Sequence, residues 1–266
     1  MSENRSLEGR IAVITGASAG IGHAIAHHLA SLGAAVVLNA RRESKLQTLS
    51  DEINSQYGQF EGKPRAIVAA GDAADESVVE SMLQSAAEHF RAEPDLIVVN
   101  AGRGLNGSVM TSDIGEWEEM VRTNLIGAAL LIRKGGLRLV ALQESREWPT
   151  KAADLVVLGS TVGRHISPFS SMYGSTKFAV NSLAEAARRE IGPKGVRVTL
   201  IEPGIVRSEF QEVAGYDEAK FSELMDKYSP VLEPEDIARG IGFVCSQPAG
   251  VHFCGLMIRG TRQDYP

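Results

Sequence analysis

Tyr173-Gly174-Ser175-Thr176-Lys177 sets a phenol and an ammonium four residues apart at the start of a helical pattern over 173–191. At that spacing both side chains lie on one helix face, a turn apart. A phenol with a pKa of about 10 exchanges protons poorly at neutral pH, and a neighbouring ammonium stabilises its phenolate. Such a pair suits proton transfer. Taken alone, it better describes a partly buried tyrosine beside a snorkelling lysine. Ser160 favours the chemical reading, because it ends the apolar run DLVVLGS at 154–160. Open α/β sheets bind their ligands at that carboxyl edge of the strands.

A second group suits a phosphate. The run IAVIT (11–15) leads into Thr15-Gly16-Ala17-Ser18-Ala19-Gly20-Ile21-Gly22 and then into a helical segment. Closely spaced glycines let the backbone approach a pyrophosphate, which meets the free N–H groups and positive end of the helix. The spacing is GxxxGxG, and an ordinary tight turn would also use it; the strand before and helix after favour a dinucleotide. The second strand ends in Asn39-Ala40-Arg41-Arg42. An acid there would favour NAD through the ribose 2′-hydroxyl, whereas arginine suits the 2′-phosphate of NADP. Arg41 is the first candidate. Arg42 reads almost equally as a solvated charge opening the next helix, and Ser18 adds a hydroxyl to the same phosphate. Asp72-Ala73 follows the third strand, where a carboxylate can accept from the adenine amino group. Asn100-Ala101-Gly102 follows the fourth and sets small residues against the cofactor ribose.

These residues need a frame. Apolar, β-branched runs recur at 11–15, 34–39, 65–70, 95–100, 154–160, 196–202 and 255–260, with helical patterns such as 77–90 and 178–191 between them. Near-continuous hydrophobicity without alternation marks strands covered on both faces. Strand–helix alternation predicts a doubly wound parallel sheet with right-handed crossovers in one domain, 1–266. Two segments depart from the rhythm. Residues 133–153 read as an excursion containing Trp148-Pro149. Residues 205–232 mix Phe210, Tyr216, Phe221, Met225 and Tyr228 with charges, as a pair of short amphipathic helices over a cleft would.

Composition narrows the classes. The chain has 266 residues, 27 of them glycine, and 44% hydrophobic residues, which excludes a disordered chain. A net charge of −6 argues against a nucleic-acid partner. Ile11 to Ala40 carries no Asp, Glu, Lys or Arg, yet four glycines and three histidines interrupt it, so no membrane span is expected. Cys245 and Cys254 form no metal-binding motif, and the polar start MSENRSLEGR has no signal-peptide core. A cytoplasmic protein with reduced thiols is expected.

TGASAGIG, NAG at 100–102, Asn124 in RTNLIG, Ser160 in GSTVG, YGSTK and Pro203-Gly204 together resemble the ordered motifs of the short-chain dehydrogenase/reductase family, in its single-domain NADP-preferring branch. The resemblance spans nearly the whole chain. It implies a seven-stranded Rossmann-type sheet in three α/β/α layers, and a homodimer or homotetramer. It implies that Tyr173 is the general acid in carbonyl reduction and the base in alcohol oxidation. Lys177 would hold the nicotinamide ribose and lower the Tyr173 pKa, Ser160 would bond the substrate oxygen, and Asn124 would bend its helix and hold a relay water. Pro203, Gly204, Val206 and Ser208 would cradle the nicotinamide. Val99 replaces the first Asn of the usual NNAG, and Ser208 stands where PGxxxT ends; neither change removes a required group.

The expected function is hydride transfer between NADP and a carbonyl or secondary alcohol of a small or medium organic substrate. The C-terminal Ile258-Arg259-Gly260-Thr261-Arg262-Gln263 resembles the RPTxQ ending of a branch with 3-hydroxy acid dehydrogenases, with Gly260 in place of proline. Two alternatives stay open: a 3-oxoacyl-carrier-protein reductase, and a non-catalytic NADP(H)-binding redox sensor. His23 and His27 have the spacing of a metal pair but no third ligand in view, so no metal is expected and they read as helix-surface histidines. His165 reads equally as a substrate contact or a structural residue. Arg103 and Arg207 flank the site and default to solvated charges.

Overall fold

The computed structural model describes residues 6–216 and 218–265, with the side chains of Val213, Glu218, Lys220, Phe221 and Leu224 also left aside. The first five residues of the polar start, and the Phe221 side chain within 205–232, thus lie outside the described set.

In the first strand, β1 (Ile11–Thr15), Ile11 and Val13 turn to one side and Ala12 and Ile14 to the other. Both sides are buried because helices cover each face, which is why the run has no polar alternation. The other strands are β2 (Ala35–Asn39), β5 (Ala66–Val68), β6 (Leu96–Val99), β7 (Ala153–Leu158), β8 (Val196–Pro203) and β9 (Gly255–Ile258). With β1 they form one seven-stranded sheet, all parallel, in the order β5-β2-β1-β6-β7-β8-β9. A separate two-residue hairpin pairs β3 (Gln59–Phe60) with β4 (Lys63–Pro64).

Helices α1 (Gly20–Ser31), α2 (Glu43–Tyr57) and α9 (Pro234–Cys245) pack on one face around Ile25, Leu29, Leu49 and Ile241. Helices α3 (Glu76–Phe90), α5 (Ala128–Glu144) and α6 (Ser171–Ile191) pack on the other around Val79, Met82, Leu131 and Val180. The result is the three-layer Rossmann architecture. Strand order reverses between β1 and β6, and a crevice opens there at the carboxyl ends of the strands.

The expected excursion at 133–153 is corrected. Residues up to Glu144 continue α5, and only 145–152 link it to β7. Gly135-Gly136 hides the helical pattern in the sequence. A Cβ on Gly135 would stand 2.5 Å from Cδ1 of Ile97, so the helix lies against β6 where only glycine fits. Trp148 within the link packs on Gly195. The segment 205–232 does contain two helices, α7 (Phe210–Val213) and α8 (Glu218–Tyr228). Among the described residues no helix is long and apolar enough to cross a membrane.

Candidate active site

Helix ends separate structural from ligand-ready positions. Asp75 caps α3 by accepting from the Ser77 N–H at 2.9 Å, and Glu233 with Asp236 forms a capping box on α9. Helix α1 has no side-chain cap, since Ala19 precedes it. Its first-turn N–H groups open onto the glycine turn, where an anion would complete them. Gly16 has φ +68 and passes Asn100 so closely that a Cβ would lie 2.8 Å from Nδ2. Thr15, which the sequence marked only as the first residue of the turn, ties it to the end of β6. Its Oγ1 accepts from the N–H groups of Asn100 and Ala101, each at 3.1 Å. Asn100 in turn donates from Nδ2 to the Thr15 carbonyl at 2.9 Å. The only sequence signal was a polar residue closing an apolar strand.

Around this turn the charged residues divide. Arg42 donates from Nε and Nη2 to Ser18 Oγ at 3.2 and 3.0 Å, so guanidinium and hydroxyl stand together beside the glycines. Arg41, the first candidate from sequence, turns instead to Glu119 at 3.1 Å. Arg42 also pairs with Glu209 at 3.0 Å, and Lys45 holds the other Glu209 oxygen at 2.9 Å. Neither Glu209 nor Lys45 was singled out from sequence. Asp72 accepts from the Ala74 N–H at 2.9 Å and pairs with Arg122, which keeps Ala73 against the next element. Ser208 lies over the turn: a Cβ on Gly20 would be 3.2 Å from its Cβ. Ile21 faces the core, and Gly22 must be glycine because a Cβ would meet the Gly16 carbonyl oxygen at 2.2 Å.

Asn124, Ser160, Tyr173 and Lys177 converge from three elements. Helix α4 (Trp117–Val121) runs into α5 through a π-helical stretch, Arg122–Gly127, which carries Asn124 inward. Wide turns of this kind concentrate at functional sites. Buried Asn124 donates to the Arg103 carbonyl at 2.8 Å and to Thr176 Oγ1 at 3.1 Å, and accepts from the Arg103 N–H at 2.8 Å. Gly102 lies between: a Cβ there would be 3.3 Å from Asn124 Oδ1 and 3.7 Å from Lys177 Nζ. Ser160, at the end of β7, is 9% exposed, lies beside Tyr173, and faces the Pro203 carbonyl at 3.5 Å. Lys177 Nζ lies 5.9 Å from the Tyr173 ring centroid and donates to the Leu158 carbonyl at 2.9 Å.

Electrostatics here differ from the sequence expectation. Burial pushes the Tyr173 phenol up, with the nearby Tyr216 adding to the rise and the Ser160 hydrogen bond opposing it. Burial also pushes Lys177 down to about 8. Burial dominates at both groups and raises the phenol above its ordinary value.

Helix α7 closes over these residues. The Phe210 ring sits edge-on to Tyr173 at 5.5 Å, and a Cβ on Gly104 would be 2.6 Å from Phe210 Cζ. Tyr216 hydrogen-bonds Ser170. Behind the site, buried Gln263 braces the segment that follows β8: its Oε1 accepts from the Ile205 N–H at 3.0 Å and leaves no room for a Cβ on Gly204. Val206 is buried and bridges to Leu232. Arg103 is held by Glu116 and Glu119, Arg207 is exposed with Glu233 at 3.7 Å, and His165 is exposed.

Comparison with known proteins agrees with this geometry. Residues 10–219 match the family model for short chain dehydrogenase. Sulfoacetaldehyde reductase 2 of Chromohalobacter salexigens is 33% identical over 257 residues, 96% of each chain. Among solved structures, the closed form of serine dehydrogenase complexed with NADP+ superposes with a TM-score of 0.82 at 28% identity, covering 96% of both chains. The 3-ketoacyl-(acyl-carrier-protein) reductase of Brucella melitensis complexed with NADH gives 0.83 at 26%, covering 96% of this chain and 99% of that one.

Proposed function

The chain belongs to the short-chain dehydrogenase family, and within it we propose an NADP-dependent reductase of small or medium organic carbonyl compounds, working reversibly as an alcohol dehydrogenase. The observation that carries this reading is the cluster of Asn124, Ser160, Tyr173 and Lys177 at the carboxyl edge of the sheet. A protein that only bound the cofactor would need no such arrangement around a phenol.

The donor set fits a dinucleotide. Gly16, Gly20, Ile21 and Gly22 bring backbone N–H groups to the pyrophosphate, and Ser18 with Arg42 receives the 2′-phosphate, with Arg41 behind it. Asp72 and Ala73 border the adenine, and Asn100, Ala101 and Gly102 the ribose. Pro203, Gly204, Val206 and Ser208 take the nicotinamide. The cofactor supplies the hydride to the carbonyl carbon. Ser160 Oγ orients the carbonyl oxygen, and Tyr173 delivers its proton to that oxygen as negative charge develops there. As Tyr173 gives up its proton, the Lys177 ammonium faces the negative charge that develops on the phenolate, and a proton passed in from solvent through the relay water restores the phenol. Asn124 holds the Arg103 backbone and Thr176 in place, leaving a path for a relay water.

Residues 205–232 serve as the substrate cover, with Phe210 already on Tyr173. Sulfoacetaldehyde and serine, named for two similar proteins, are the first substrates to try, followed by other aldehydes and keto acids. The similarity to a ketoacyl-carrier-protein reductase makes acyl substrates the second panel. The protein is assigned to the cytoplasm as a homodimer or homotetramer, consistent with two free cysteines and exposed Leu137 on α5 and Phe178 on α6.

Tyr173→Phe should lower turnover by about 10²–10⁴-fold while leaving NADPH binding, read by fluorescence, within about twofold of the parent. Equal turnover by both chains would overturn the role of the phenol.

A further inference from the structure

We propose that His23, His27 and Glu52 form a binding site for a zinc-class divalent transition-metal ion, clipping α1 to α2 beside the phosphate turn. One nitrogen from each imidazole and one Glu52 oxygen all lie within 4.8 Å of one another. His27 Nε2 and Glu52 Oε2 are 3.5 Å apart. Ligands held at zinc distances on a tetrahedron are separated by about 3.3 Å, so this pair already has the required spacing. The His23 and His27 rings stand 5.0 Å apart, one helical turn from each other on the same face. His23 brings the third donor atom within 4.8 Å of the other two.

The sequence alone offered only the two histidines. The third donor comes from the neighbouring helix, 25 residues beyond His27 in the chain, and only the packing of α2 on α1 reveals it. The donor chemistry is selective. Two imidazoles and a carboxylate suit Zn²⁺, Co²⁺ or Ni²⁺ and disfavour Mg²⁺ and Ca²⁺, which prefer all-oxygen sets. His23 and Glu52 border an open cavity of about 350 Å³ that also touches Ser18, Ala19 and Gly20. Space therefore remains for a water in the fourth position. Lys45 lines the same cavity, but its ammonium is drawn to Glu209. The site is separate from the Tyr173 cluster and does not depend on the proposed activity.

The test is zinc titration by calorimetry of the full chain, free of any polyhistidine tag, beside Cys254→Ser, His27→Ala and Glu52→Gln. Cys254→Ser is the control because Cys254 Sγ lies 4.0 Å from His252 Nδ1, a pair that offers zinc another lodging. One zinc per chain is expected for the parent and for Cys254→Ser. His27→Ala and Glu52→Gln should each bind at least about tenfold more weakly. Glu52 is exposed, so Glu52→Gln tests the site without disturbing the fold. Co²⁺ substitution should give visible absorption without a thiolate charge-transfer band, and the melting temperature should rise with zinc concentration in the parent only where the triad is intact. No saturable binding by the parent, loss of binding in Cys254→Ser, or unchanged binding in Glu52→Gln would each overturn the proposal.

Discussion

Lys177, proposed to face the Tyr173 phenolate, departs from what folding alone would choose. Its ammonium is 6% exposed, and the Leu158 carbonyl, at 2.9 Å, is its recorded hydrogen-bond partner. Burial holds its pKa at about 8, below the ordinary value of about 10.4. Between those two values the unfolded chain binds more protons than the folded one, so this residue's contribution to stability rises as pH climbs from about 8 to about 10.4. Below that window the full cost of burying the charge remains. Lys177→Met keeps the shape without the charge. At pH 7 it should be more stable than the parent by about 1–2 kcal/mol in urea melts, and the gain should shrink as pH rises through the window. The same variant should lose turnover. A Met variant less stable at neutral pH would mean that the carbonyl bond outweighs the burial cost. In the sequence, Tyr173 and Lys177 were legible as a pair from their spacing. The direction of their pKa shifts was not, because it depends on Tyr216 and on the depth of the pocket, both tertiary properties.

At the scale of elements, the cover and the cofactor cradle are linked through one carboxylate. Glu209 stands one residue before α7 and binds Arg42 and Lys45, while Phe210, the first residue of α7, lies on Tyr173. A 2′-phosphate entering beside Ser18 and Arg42 competes with Glu209 for the same cations. Glu209→Gln should therefore tighten NADPH binding several-fold and leave NADH nearly unchanged, measured by fluorescence titration. Arg42→Ala should weaken NADPH by about tenfold or more and NADH far less. Equal effects on both cofactors would contradict the phosphate role. The sequence made the glycine turn, its strand and its helix readable, because each rests on local pattern. It pointed to Arg41 ahead of Arg42, since strand-end position says nothing about which guanidinium bends back toward Ser18. It also lost the C-terminal part of α5 behind Gly135-Gly136. There the need for close contact with Ile97 overrode helix propensity, and a propensity reading has no access to that contact.

Across the whole molecule, function and stability occupy opposite edges of one sheet. Every proposed ligand contact lies at the carboxyl ends of the strands or in the segments that follow them. At the amino ends, Arg10, Asp95, Asp154 and Arg197 form a buried ionic network that the sequence did not mark, since its members come from four separate strand starts. Asp154 takes Arg197 through both oxygens at 2.7 and 2.8 Å and also Arg10 at 2.7 Å, and Arg197 binds the carbonyls that follow α9, including Gln247. The network thus pins β1, β6, β7 and β8 to the end of α9. Asp154→Ala would strand two guanidinium groups with little solvent, a loss of about 3–5 kcal/mol in chemical denaturation. For a chain of this size that corresponds to a melting temperature lower by roughly 10 °C. The folded fraction should keep the parent's KM for cofactor, because the altered charges lie at the far edge of the sheet from the glycine turn. A loss below about 1 kcal/mol would show that water reaches these charges and that the network holds the strands only weakly.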